Sequence, residues 1–238
     1  MNLTLELIIR LTGNLIPLIF GIIAFRNWIK YKLSRKEKIV KLGFRPFVLR
    51  ELIWGLLLGT AAITLVFFIE YLFNLIGIVE FQITAEVIKT TLILIVAAAV
   101  EEFIFRSLFI NGIRIIKDNF YLELFLPAIF FGLVHISNPN ATWLSILSTA
   151  IGGIMYGLAF LKTDRLYLPT GLHFSWNFSQ ACLFGFPLSG FSSEGIIVQE
   201  NLGSAILTGG NYGPEGGLIG IAARLAVIFT LIVFFKKK

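Results

Sequence analysis

Three short runs of this chain gather the residue types that do acid–base chemistry. EEFIFR occupies residues 101–106, FGLVH residues 131–135 and HFSWN residues 173–177. A carboxylate and an imidazole beside one water make a general base, and apolar surroundings favour the protonated carboxyl, which suits proton abstraction near neutral pH. A second imidazole and a carboxamide on one face can hydrogen-bond an oxyanion. Glu101, His135, His173 and Asn177 are therefore sufficient for attack of water on a peptide carbonyl and proton return to the leaving amine. Glu101, His135 and His173 could instead hold a zinc ion with one position open to water. The helical zinc-protease pattern H-E-x-x-H is absent. No serine sits in a nucleophile-elbow pattern. The single cysteine, Cys182, excludes an internal disulfide and a multi-cysteine zinc site.

Spacing sharpens the roles. Helical positions four apart share a face. Glu102 and Arg106 can pair on one helix, which neutralises two costly charges. Glu101 is turned about 100° away and is left free. His173 and Asn177 face the same way. Taken singly, His135 also fits a packing or helix-end residue, and HFSWN fits interhelical hydrogen bonding. The chain has two histidines, and both fall in these runs.

The elements that must position these groups follow from composition. The chain has 238 residues, 57% hydrophobic and 14% charged, against about 25% charged in soluble domains. That excludes a cytosolic globular enzyme and a disordered chain. The expected fold is all-α: one integral membrane domain, residues 1–238, forming a polytopic transmembrane helix bundle of about seven spans. Uncharged or nearly uncharged runs place the spans at residues 11–25, 52–69, 83–113, 124–161, 166–183 and 218–235. Residues 124–161 are too long for one crossing, and the turn formers SNPNAT at 137–142 divide them into two. Residues 185–217, rich in Gly and Ser, read as a long outer loop. Glu70, Lys89 and Arg224 read as helix-end side chains reaching for the interface.

Depth allows one shared site. At 1.5 Å per residue, Glu101 lies about 16 Å from a helix end near Gly112, and His135 about 21 Å from Tyr121. Counted from Leu166, His173 lies about 10 Å in and Asn177 about 16 Å in. A bilayer core is about 30 Å thick.

The net charge of +6 could suggest nucleic acid. Its distribution does not. Nine Lys or Arg lie in the loop 26–50, and Arg114, Lys117, Lys162, Arg165 and Lys236 to Lys238 follow later odd-numbered spans. These 16 of the 20 basic residues fall on one side of a seven-span chain. This is the positive-inside pattern, with a cytoplasmic C-terminus; the basic loop reads as an anchor on anionic lipid or, alternatively, as a recruiting site for an acidic partner.

EEFIFR, FGLVH and HFSWN, in this order and on separate helices, resemble the EExxxR, FxxxH and HxxxN motifs of the CAAX-protease and bacteriocin-processing (CPBP) family, the type II CAAX prenyl endopeptidase-like intramembrane proteases. LKTDRLYLPTGLH, which runs into the third motif, is also similar to that family. The resemblance covers about residues 84–184, taken as the catalytic core. It implies that Glu101 and His135 activate the hydrolytic water. His173 and Asn177 would stabilise the oxyanion, with Glu102, Arg106 and Phe131 supporting. It further implies a glutamate protease with no cofactor, the zinc version standing as the alternative. The expected protein is a multi-pass enzyme of a bacterial-type plasma membrane. It would act on a membrane-embedded or lipidated peptide or protein, with no nucleic-acid partner. A non-enzymatic immunity or scaffold protein is the competing reading. A proton-coupled transporter ranks last, because the first three and next three spans show no internal repeat.

Overall fold

A computed structural model describes residues 46–235 continuously, together with residues 19, 21–23, 26, 27, 30 and 42–44. Most of the expected first span, most of the basic loop 26–50, and Lys236 to Lys238 lie outside the described residues.

Helices dominate, and they fall on the apolar runs of the sequence. They are α1 (Leu49–Leu72), α2 (Ala85–Glu102), α3 (Asn111–Ile116), α4 (Phe120–Val134), α5 (Trp143–Thr163), α6 (Tyr167–Phe178), the single turn α7 (Ala205–Thr208) and α8 (Leu218–Phe234). A π-helical stretch, Phe103–Ile110, joins α2 to α3, and another, Ser179–Leu183, extends α6. Local chemistry sets the ends. Thr84 caps α2 through the Val87 amide, and Asn119 caps α4 through the amides of Tyr121 and Leu122. Thr142 and Ser145 form a reciprocal capping box at the start of α5. Asp164 ends α5 in the left-handed conformation.

Among the described residues, two helices are long and apolar enough to cross a membrane, α1 and α5. Helices α4 and α8 are apolar but shorter. At 1.5 Å per residue, the 24 residues of α1 exceed the roughly 30 Å of a bilayer core. Many large apolar side chains stay exposed on the helices' outer faces, among them Leu65, Phe68, Ile93, Val96 and Phe229.

The purely α expectation needs one correction. Ile76–Phe81 and Ile197–Asn201 pair as a two-stranded antiparallel ribbon, with an irregularity between Ile78 and Glu80. β-branched and aromatic residues give the first strand its β preference. Its partner lies in the stretch read as a polar loop, which also holds α7 and two 3₁₀ turns.

Helix α6 is central. It packs along α1 with backbones nearly touching. A Cβ on Gly55 would lie 2.4 Å from the Leu168 carbonyl oxygen, and one on Gly59 2.6 Å from that of Leu172. From the other side, a Cβ on Gly171 would lie 2.6 Å from the Leu52 oxygen. Gly55 and Gly59 form a G-x-x-x-G pair, the small-residue spacing that lets helices approach closely. The Ser175 hydroxyl donates to the Gly55 carbonyl at 3.2 Å. Helices α4 and α5 meet in the same manner at Gly132 and Gly153.

The loops sort to two ends of the bundle. At one end Arg114 pairs with Glu123 (2.7 Å) and Asp164 (2.8 Å), and Arg165 pairs with Glu51. Arg165 donates hydrogen bonds to the Glu51 carboxylate, and these raise its pKa above the ordinary value more than burial lowers it. Lys162 reaches the Ile232 carbonyl at this same end. The ribbon, the 137–142 turn and the 185–217 segment lie at the other end, where Asn140 donates to the Gly190 carbonyl.

Candidate active site

Glu101 and Glu102 end the α-helical part of their segment, immediately before the π-helical stretch. Such bulges recur at functional sites because they re-aim side chains. Glu102 is fully buried, and its Oε1 lies 3.2 Å from Arg106 Nη1. The same oxygen lies 2.8 Å from His173 Nδ1. On the far side of that imidazole, Nε2 lies 3.9 Å from Glu101 Oε2. The two adjacent glutamates thus flank one histidine. Helical spacing anticipates the Glu102–Arg106 pair and the separate face of Glu101, but not that both carboxylates meet His173.

Arg106 is buried and donates to the Gly153 carbonyl on α5 at 3.3 Å. Its guanidinium lies 4.6 Å from the Phe131 ring centre and 5.3 Å from that of Tyr156, within cation–π range. Tyr156 stacks on His173 with ring centres 4.5 Å apart. Phe131 stands edge-on to His173 at 5.9 Å and contacts His135 at 5.0 Å. Phe131 therefore fixes the arginine and both imidazoles.

His135 is not inside a helix. It is the C-cap of α4, one residue past Val134. Its Nδ1 lies 2.6 Å from the Phe131 carbonyl oxygen. A carbonyl only accepts, so Nδ1 carries the proton and Nε2 keeps a free lone pair. The F-x-x-x-H spacing follows physically. The last carbonyls of a helix lack intrahelical donors, and a histidine four residues on supplies one.

Glu101, His135, His173 and Asn177 all line one cavity of about 1220 Å³. Glu101's side chain is 37% exposed, while His173's is nearly covered. Much of the wall is apolar, including Ile93, Leu94, Leu108, Val134 and Phe191.

Arg224 corrects the sequence reading. Far from reaching for an interface, it is 2% exposed and borders this cavity. Its Nη2 lies 3.3 Å from Glu215 Oε2, and its Nη1 donates to Ser148 Oγ (2.5 Å) and the Glu215 carbonyl (3.1 Å). Glu215 Oε1 in turn accepts from the Ser189 amide and hydroxyl. This network ties α8 and α5 to the 185–217 segment across the cavity wall. The only sequence signal was an arginine in an apolar run. Glu215 and Tyr156 gave none. Lys89 pairs with Glu86 in the first turns of α2. Glu70 is fully buried rather than extended to an interface.

The zinc alternative meets a geometric test. Each histidine has Nδ1 anchored and Nε2 unanchored, as a metal ligand would. Yet among the described residues no three His, Cys, Asp or Glu side chains converge closely enough to hold a metal ion.

Comparison with known proteins bears on this same stretch. Residues 83–179 match the family model described as type II CAAX prenyl endopeptidase Rce1-like. No curated protein and no solved structure matches the chain. The matched stretch runs from one residue before the α2 N-cap to the residue after α6 and contains all three motifs. Through this motif-bearing segment, the chain is similar to the type II CAAX prenyl endopeptidase Rce1-like family.

Proposed function

We propose that this chain is an intramembrane endopeptidase that hydrolyses a peptide bond by glutamate- and histidine-activated water. The observation that carries the reading is the shared cavity of Glu101, His135, His173 and Asn177, with His173 held between two glutamates. Water bound beside Glu101 and His135 Nε2 loses a proton to Glu101 as its oxygen attacks the carbonyl carbon. Negative charge then develops on the carbonyl oxygen. His173 keeps Nδ1–H on Glu102, so as the imidazolium it presents Nε2–H to that oxygen, beside the Asn177 carboxamide. Collapse breaks the C–N bond, and Glu101 returns its proton to the leaving amine. The 3.9 Å gap between His173 and Glu101 is one that a bridging water closes.

The apolar wall suits a membrane-embedded or lipidated peptide. Seven crossings with a cytoplasmic C-terminus belong to the same proposal, supported by the charge distribution and by the two-ended sorting of the described loops.

The test is cleavage of a membrane-proximal peptide by detergent-purified protein. Glu101→Ala should lower the rate by at least about 100-fold, as loss of a general base does, with unchanged thermal melting. Undiminished cleavage by Glu101→Ala would overturn the assignment. Full activity in protein free of stoichiometric metal is also expected, and activity that tracks bound zinc would overturn the metal-free mechanism.

A further inference from the structure

A second cavity, about 210 Å³, lies at the far end of α1 beneath the β-ribbon. Its wall includes Glu70, Ser192, Ser193, Gln199, Asn201 and Thr208. Strand alternation puts Gln199 and Asn201 on one face of the second strand, toward this cavity. Glu70 is 0% exposed. Among the described residues no donor reaches either of its carboxylate oxygens, nor the buried Oε1 of Gln199. Buried carboxylates are ordinarily paired. The Asn201 side chain is already engaged: its Oδ1 accepts from the Gly203 amide at 3.0 Å, and its Nδ2 donates to Thr208 Oγ1 at 3.1 Å. It can brace the wall but supplies no donor to Glu70.

We propose that this cavity binds a hard divalent cation of the calcium type, held by the Glu70 carboxylate and the Gln199 carbonyl oxygen. Three acceptor oxygens facing one polar space call for a positive centre. A proton on Glu70 would leave at least one of them without a donor, whereas a cation serves all three. Calcium takes carboxylate, amide-carbonyl and water oxygens together in flexible geometry. The space accommodates an ion with several waters, each needing about 30 Å³. One carboxylate is a low ligand charge, which places affinity in the millimolar range of about 10⁻⁴–10⁻³ M. The site joins α1 to the second strand and to residues 185–187 and 192–193. An ion there fastens the segment that also carries Ser189 and Glu215 on the other cavity's wall.

The test is thermal melting of the full chain in detergent, chelator-treated and then titrated with calcium chloride. The melting temperature should rise by several degrees and saturate in the millimolar range. Equilibrium dialysis should find one calcium per chain. Glu70→Gln should abolish both effects, Gln199→Leu should weaken them, and Glu200→Gln, on the exposed strand edge, should leave them intact. A wild-type melt indifferent to calcium would overturn the proposal. So would a calcium response that survives in Glu70→Gln. If Glu70→Gln does not fold, the dialysis stoichiometry of Gln199→Leu decides: wild-type affinity there would overturn it.

Discussion

At the scale of single residues, Glu102 carries two duties that can be separated. Its Oε1 is the partner of Arg106 at 3.2 Å and of His173 Nδ1 at 2.8 Å. Glu102→Gln leaves the buried guanidinium without its counter-charge, a loss of about 3–5 kcal/mol when one member of a buried pair is removed. The melting temperature should fall and cleavage with it. Glu102→Gln combined with Arg106→Met removes both charges, and melting should recover. Cleavage should not, because the imidazole has lost the carboxylate that sets its proton positions. A carboxylate in that role is worth about 10⁴-fold in a catalytic triad, and the double variant should stay at least about 10-fold below wild type. Recovery of both properties would show that Glu102 serves folding alone. Phe131 gives a complementary case. Phe131→Ala removes the ring beneath Arg106 and between the imidazoles. Loss of about 3–5 kcal/mol is expected from the cavity, read by denaturant melts.

Elements rather than residues decide whether His173 and Asn177 arrive at the right place. Helix α6 is held by α1 through glycine contacts that leave no room for a methyl group. Replacing glycine by alanine inside a helix ordinarily stabilises it by about 0.5–1 kcal/mol. At Gly59 the added Cβ would meet Ser175 Oγ at 2.2 Å and the Leu172 carbonyl oxygen at 2.6 Å. Gly59→Ala should therefore lower both the melting temperature and cleavage, while Gly77→Ala, on the exposed ribbon, should spare cleavage. Equal tolerance at Gly59 would mean that α1 does not position α6. The sequence carried much of this element layer. Apolar runs and the SNPNAT turn placed α1, α4, α5, α6 and α8, since length and hydropathy suffice for helices lacking charge. Periodicity gave the Glu102–Arg106 pair. The π-helical stretch after Glu102 was not legible, because no side-chain pattern separates it from an α-helix. The ribbon was missed because each of its strands pairs across more than a hundred residues. The Arg224–Glu215 pair was hidden for a different reason: its members are only nine residues apart, but Glu215 lies in a segment with no periodicity.

For the molecule as a whole, the arrangement of ends determines from which side a substrate and an ion would arrive. The ion-paired end, with Arg114, Asp164 and Arg165, carries the basic turns. The opposite end carries the ribbon, Glu70's cavity and the acidic residues Glu80, Glu194 and Glu200. Basic turns stay cytoplasmic when a helical protein inserts, so the ribbon end should face outward, where calcium is abundant. Single-cysteine labelling checks this directly. Cys182 is buried, and Cys182→Ser gives a background without reactive thiols. In intact cells, a membrane-impermeant maleimide should label Leu202→Cys, on the exposed ribbon end, and spare Asp118→Cys, in the exposed turn before α4. Permeabilisation should expose Asp118→Cys to the reagent. Reversed labelling would invert the topology. Labelling of both positions before permeabilisation would show that the helices between them do not separate two compartments.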